Sequence, residues 1–210
     1  FYRGQTAPNE FPLQFAAMNE YFMYRNDKKD GTIIFPSAGE YDNRRVIIEY
    51  IQENGLPVEV GRIGHFKHSE TPGDRSQYYK RLSSATAVIS SFGWGEDTAR
   101  FWEAAASGAC VISERFKIEM PFPYTHMENI IFFDHPSELV DIVTAIKHRE
   151  IDAMEIGNAC KEHTARYHTT TARAKYFLNT ICENEDRLLS MEGYSSVKER
   201  LECEKISLEL

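Results

Sequence analysis

Residues 90–114, SSFGWGEDTARFWEAAASGACVISE, hold the side chains whose types and spacing could do chemistry. The segment reads as a strand end, a glycine-containing loop, a short helix, a tight turn and a second buried strand. Gly93 and Gly95 flank Trp94 in the loop, and the helix is expected to start near Asp97 or Thr98. A glycine loop feeding a helix N-terminus presents free backbone N–H groups and the positive end of a helix dipole, which is a place to hold phosphates. Glu103 follows one or two turns in, where a carboxylate could take a pair of ribose hydroxyls. It sits among Phe101, Trp102, Ala104, Ala105 and Ala106 on a helix expected to be buried on both faces, so its charge needs partners. Arg100, three residues earlier, shares a face with Glu103. Two roles stay open for it: an intrahelical ion pair, or a guanidinium fork aimed at a diphosphate.

Other polar groups cluster around this segment. Glu96 and Asp97 could cap the helix, since Asp is a favoured N-cap, or could hold sugar hydroxyls or act as a base from the cleft. Arg44 and Arg45 open a helix just after a turn containing Gly39. They are either solvated or the cations that stabilise a departing diphosphate. His65 and His68 fall in a loop with no third ligand nearby, so a zinc site is not expected. His126 follows the rigid aromatic run Pro121-Phe122-Pro123-Tyr124, and His135 lies beyond the next strand. A cleft-lining or catalytic role for His126 stands beside a structural one.

These groups must be positioned by regular elements. A helix is expected over residues 13–24, and short apolar strands over 32–35, 58–60, 85–90, 109–113 and 129–133. Helices are expected between them over 43–53, 77–83 and 98–106, and after them over 137–148, 150–166 and 171–186. Strands alternating with helices imply an α/β fold, a doubly wound, mainly parallel, Rossmann-like sheet with C-terminal helices. Ligands of such sheets bind outside the carboxyl ends of the strands. The candidate loops are therefore 37–43, 61–74, 91–97, 114–123 and 134–137. The expected organisation is a lead-in over 1–31, a nucleotide-binding domain over 32–182 and a charged helical extension over 183–210.

Composition limits the function classes. With 42% hydrophobic residues, 210 residues suffice for one packed domain, and 13 Phe with 11 Tyr argue against disorder. A net charge of −8 opposes a nucleic-acid or anionic-membrane binder, though not a small phosphorylated ligand held by local cations. Cys110, Cys160, Cys182 and Cys203 lack metal-ligand spacing, and Cys110 reads as a small core residue, so a reducing cytoplasm is expected. No apolar run approaches the ~20 residues that span a bilayer. The chain opens FYRGQTAPNE, without a signal-peptide pattern or initiator Met, and is expected to be a piece of something longer.

Several motifs then converge. Tyr79 and Leu82, the run Thr86-Ala87-Val88-Ile89-Ser90, Gly93, Arg100-Phe101-Trp102-Glu103-Ala104, Gly108 and Val111-Ile112 resemble the C-terminal half of GT-B glycosyltransferases. The branch is similar to exostosin-like and CgeB-like proteins, with their R–x–x–E–A signature. Residues 128–133 with Pro136-Ser137-Glu138-Leu139, and His168-Thr169-Thr170 with Arg173-Ala174, resemble the later strand and helices of that group. The resemblance covers about residues 32–182.

It implies a donor-binding domain for a nucleoside diphosphate sugar, with transfer to a glycan or other hydroxyl acceptor in glycan or cell-surface polysaccharide synthesis. Glu103 would bind the donor ribose, and Arg100 would be the signature arginine. Gly93 and Gly95 would match the loop that approaches the donor phosphates; beside them Trp94, Thr98, Gly39, Arg44 and Arg45 are expected at the donor from their positions in the sequence, not from the resemblance. Glu96, Arg100 and His126 are the candidates for catalysis. No cofactor or metal is implied beyond the sugar nucleotide, and a second, N-terminal GT-B domain would complete the enzyme. Many relatives carry a second glutamate eight residues before the ribose glutamate; here that position is Gly95, with Glu96 and Asp97 beside it. The competing expectations are a non-catalytic nucleotide-sugar-binding or structural module on the same half fold, and an α/β enzyme with another nucleotide cofactor. The latter is weakened by Ser37-Ala38-Gly39-Glu40 where a GxGxxG would stand after the first strand.

Overall fold

The structure, a computed structural model, describes residues 11–24, 26, 28–37, 41–61 and 76–184. Within these, five strands form one parallel sheet: β1 (Ile33–Phe35), β2 (Val58–Val60), β3 (Ala87–Ser90), β4 (Cys110–Glu114) and β5 (Ile131–Phe133). Their order is β2-β1-β3-β4-β5. The chain moves outward from β1 to β2, then returns to lay β3 on the other side of β1, so the strand order reverses between β1 and β3. That is the switch point at which doubly wound sheets open a crevice.

Six helices cover the sheet: α1 (Asp42–Glu53), α2 (Ser76–Ser84), α3 (Ala99–Ser107), α4 (Glu138–Lys147), α5 (Ala153–Tyr167) and α6 (Thr170–Glu183). Strand side chains alternate between two cores, as the period of 2 requires. Ile34, Val88, Val111 and Phe132 pack with α2, α3 and Cys160 of α5. Ile33, Phe35, Ala87, Ile89, Cys110, Ile112, Ile131 and Phe133 pack with α1, α4 and the start of α5. Buried on both faces, β1, β3 and β5 and most of β4 read as continuous runs, whereas the edge strand β2 is only partly buried and carries the exposed Glu59.

The expected α/β architecture is the one observed, and the helix and strand limits agree to within a few residues. The lead-in is the exception. The expected helix over 13–24 is replaced by an irregular chain with one short 3-10 turn, Asn19–Phe22. Tertiary partners take the backbone groups that a helix would use. Ala17 N–H donates to His168 O at 2.8 Å, Thr170 N–H donates to Ala17 O at 3.2 Å, and Phe15 N–H donates to Asp97 Oδ2 at 2.6 Å. Ala17 and Tyr21 enter the α3-side core, where Tyr21 meets the Tyr79 ring at 5.5 Å.

Candidate functional site

The site is built around α3. Thr98 is its N-cap, in extended conformation, with its Oγ1 accepting from Phe101 N–H at 3.4 Å. Gly108 closes the helix in the left-handed conformation, φ 78°. Neither Glu96 nor Asp97 is the cap; their carboxylates hold neighbouring chain segments instead. Glu96 Oε2 accepts the amides of Lys117 and Ile118 at 2.5 and 3.0 Å, tying the post-β4 loop to the post-β3 loop. Asp97 Oδ1 accepts the Trp102 indole N–H at 2.8 Å, while Oδ2 takes Phe15 N–H. The amides of Ala99 and Arg100, in the first turn, make no hydrogen bond among the described residues. They are the free donors of the positive helix end.

Glu103 is 6% exposed and accepts a hydrogen bond from the Tyr78 hydroxyl at 2.9 Å, across the α2–α3 packing. Burial, then the Glu103 carboxylate, push the Tyr78 phenol far above its usual range, and Arg100 acts in the opposite sense. The phenol is therefore a fixed donor to the carboxylate. Arg100 stands beside this pair, is half-buried, and its Nη1 is buried without a hydrogen-bond partner among the described residues. No ion pair joins Arg100 to Glu103 there. Tyr78 is not among the candidates named from the sequence; its hydroxyl role depends on how α2 meets α3.

Around the glycine loop the four named residues differ in setting. Gly93 is closely packed: a Cβ there would stand 3.3 Å from Arg44 Nη2 and 3.4 Å from Tyr41 Cε2, so those side chains would have to shift by a few tenths of an ångström. A Cβ at Gly95 would meet nothing within 4 Å. Gly93 N–H donates to Gly95 O at 3.1 Å, which throws Trp94 outward to 94% exposure. Gly39 lies outside the described residues, as do His65, His68, Cys203 and residues 185–210 of the C-terminal extension.

Arg44 and Arg45 part company despite being neighbours. Arg44 is 5% exposed; its Nε donates to Phe92 O at 2.9 Å and its Nη2 to Ser91 O at 3.4 Å, beneath the glycine loop. Asn43 Nδ2 also donates to Phe92 O, at 3.0 Å. Glu114, at the end of β4, completes this support by accepting Phe92 N–H at 2.7 Å. Burial raises the Glu114 carboxyl above its usual range, against the pull of the Phe92 amide, Asn43 and Arg44. Arg45 points out and pairs with Asp42 at 2.8 Å on its own helix. Asn43 and Glu114 escaped sequence reasoning. The one available signal was a charged residue, Glu114, ending the apolar strand β4.

His126 lies beyond β4, exposed, with Nδ1 accepting Phe132 N–H at 3.0 Å. That bond places the ring proton of the neutral imidazole on Nε2. The other ring nitrogen is then left as a donor. His135 Nδ1 meets Ser137 Oγ at 2.8 Å, before α4. Cys110 and Cys160 are fully buried, and burial pushes the Cys160 thiol up to about 12, so both are inert packing groups. Among the described residues no cluster of three or more His, Cys, Asp or Glu could hold a metal. No described helix is long and apolar enough to cross a membrane.

The glycine loop, the free amides of α3, the half-buried Arg100 and the buried Glu103 thus gather on the segment that follows the carboxyl end of β3. The chain belongs to the glycosyl transferase-like family, whose pattern matches residues 44–179. No curated protein matches the sequence. Among solved structures, Anabaena HepE, determined with UDP-glucose, is 14% identical, with the match covering 72% of this chain and 40% of HepE at a TM-score of 0.46. TarM is 13% identical over 75% of this chain and 36% of its own, at a TM-score of 0.49. The C-terminal domain of the glycosyl transferase group 1 family protein LpcC from Francisella tularensis is 13% identical over 64% of this chain and 66% of its own, at 0.43. The chain thus spans less than half the length of HepE or TarM.

Proposed function

We infer that this chain is the donor-binding domain of a GT-B-type glycosyltransferase, which transfers a sugar from a nucleoside diphosphate sugar to a hydroxyl acceptor. Family membership supports the reaction class. The single observation that carries the donor role is Arg100. Its Nη1 is buried without a partner among the described residues, on the first turn of α3 and one turn before Glu103. A guanidinium nitrogen kept dry and unpaired is costly, and an anionic ligand satisfies it. In this role the α3 amides and Arg100 stabilise the charge that develops on the leaving diphosphate. Glu103, held by Tyr78, accepts from ribose hydroxyls. Arg44 acts from below, by fixing the loop carbonyls, while Arg45 serves α1.

The competing role is a binding or structural module without turnover. It draws on the engagement of Arg44, Arg45 and Glu96 by protein partners.

Melting curves with UDP, GDP, ADP, CDP and dTDP test the donor role, because a ligand that binds only the native state raises the melting temperature. At least one nucleotide is expected to do so, and Glu103→Gln to remove the shift while leaving the fold intact. Absence of a shift with all five sinks the donor role. A shift without transfer or hydrolysis of the matching sugar nucleotide by the longest available form of the protein favours the module.

A further inference from the structure

A second concavity lies on the α3 side of the sheet, between the segment that follows β4 and the segment that leads into β5. It encloses about 250 Å³ and is lined by Phe116, Tyr124 and Phe132 with Arg115, Thr125 and His126. Its aromatic wall is fixed from behind: Phe101 of α3 meets Phe116 edge-on at 4.8 Å and Tyr124 at 5.5 Å, and Phe116 meets Phe132 at 6.0 Å. Ile118, also lining it, is held by Glu96, so one wall is continuous with the glycine-loop segment that leads into α3.

The polar groups are few, and two of them present N–H donors. His126 turns its Nε2–H donor free by giving Nδ1 to Phe132 N–H. Arg115 lies over the Phe132 ring at 5.2 Å and spends only its Nε on Asp134, leaving its two terminal nitrogens without hydrogen bonds among the described residues. Asp134 also balances its charge. The cavity therefore offers a rigid aromatic wall, neutral overall charge and donors waiting for oxygen acceptors. Its volume lies just below the range of about 300–1,000 Å³ typical of drug-sized ligands, which suits a single ring.

We propose that this cavity binds one pyranose ring of the hydroxyl acceptor, with ring C–H groups against the aromatic wall and hydroxyl oxygens accepting from His126 and Arg115. The assignment rests on the glycosyltransferase reading for the word acceptor, but the ring-binding chemistry is independent of it. It also gives His126 a binding task in place of acid–base catalysis.

Saturation-transfer NMR on the wild-type chain, without nucleotide, tests the cavity with the methyl glycosides of glucose, galactose, mannose and N-acetylglucosamine. Saturation of the ring C–H protons of at least one glycoside is expected, and Thr125→Trp, an exposed substitution that fills the cavity, abolishes it. No saturation with any of the four overturns the proposal. So does a signal that persists in Thr125→Trp, or displacement of the glycoside by uridine, which would make this a base pocket. Failure here with an intact UDP melting shift leaves the donor role standing; the reverse outcome removes the donor role alone.

Discussion

The Tyr78 hydroxyl donates to Glu103 Oε2 at 2.9 Å, joining α2 to α3 inside the core cluster that backs the proposed donor site. The phenol cannot ionise at ordinary pH, because burial and the adjacent carboxylate both oppose it. Tyr78→Phe keeps the ring and removes the donor. It is expected to cost about 1–3 kcal/mol in urea unfolding, the range for stripping a partner from a buried polar group. If the proposed donor role holds, the same variant weakens nucleotide-induced stabilisation more than a distant variant of equal stability does.

Arg44 supports the glycine loop. Its guanidinium spans the carbonyls of Ser91 and Phe92 from a buried position. Arg44→Lys supplies one compact ammonium where a fork is needed, so it is expected to lose stability by about 1.5–3 kcal/mol, the scale of a charged hydrogen bond. Arg45→Lys, on the exposed face, is expected to change the urea midpoint little, since exposed ion pairs contribute about 0–1 kcal/mol.

His168 makes stability fall on the acid side. It is fully buried, its Nδ1 accepts from Arg173 Nη2 at 2.9 Å, and its Nε2–H donates to Phe122 O at 2.9 Å. Burial first, then Arg173 and His163, lower its pKa from 6.5 to about 3. A base with a depressed folded pKa stays neutral in the native state while the unfolded chain takes up a proton. Its contribution is whole above the unfolded value near 6.5 and is lost as pH falls toward about 3. The expected slope is at most about 1.4 kcal/mol per pH unit in that window. Urea unfolding from pH 7 to 5 reads it, and His168→Gln flattens it.

Gly157 sets how closely α5 approaches the start of β4. A Cβ there would stand 2.7 Å from Gly108 O and 2.8 Å from both Ala109 C and Cys110 N. All three are backbone atoms and cannot rotate away. Gly157→Ala is expected to destabilise by about 1–3 kcal/mol from overpacking, against a helix-propensity gain of about 1 kcal/mol. A lowered melting temperature, rather than a raised one, is the expected result.

The two tryptophans separate optically. Trp102 is 1% exposed and Trp94 is 94% exposed. Trp94→Phe is expected to leave a blue-shifted emission that acrylamide hardly quenches, and Trp102→Phe the converse. If nucleotide binds at the α3 N-terminus, the Trp94 signal responds to UDP and the Trp102 signal does not.

Sequence by itself determined the alternation of strands and helices, because apolar runs and their turn residues are local and were read to within a few positions. It also picked out the loop and helix holding Gly93, Thr98, Arg100 and Glu103, since these lie in one continuous stretch. Only the tertiary structure decided what those groups touch. Arg44 and Arg45 are chemically identical neighbours, yet successive residues on a helix point about 100° apart, so one supports the loop and the other meets solvent. The lead-in reads as a helix by periodicity, but His168, Thr170 and Asp97 compete for its backbone from over 80 residues away. The His126 ring is oriented by one bond from Phe132 N–H, and no spacing rule encodes that bond. Local pattern specifies elements; the protonation and reach of a side chain are set by whatever the fold brings against it.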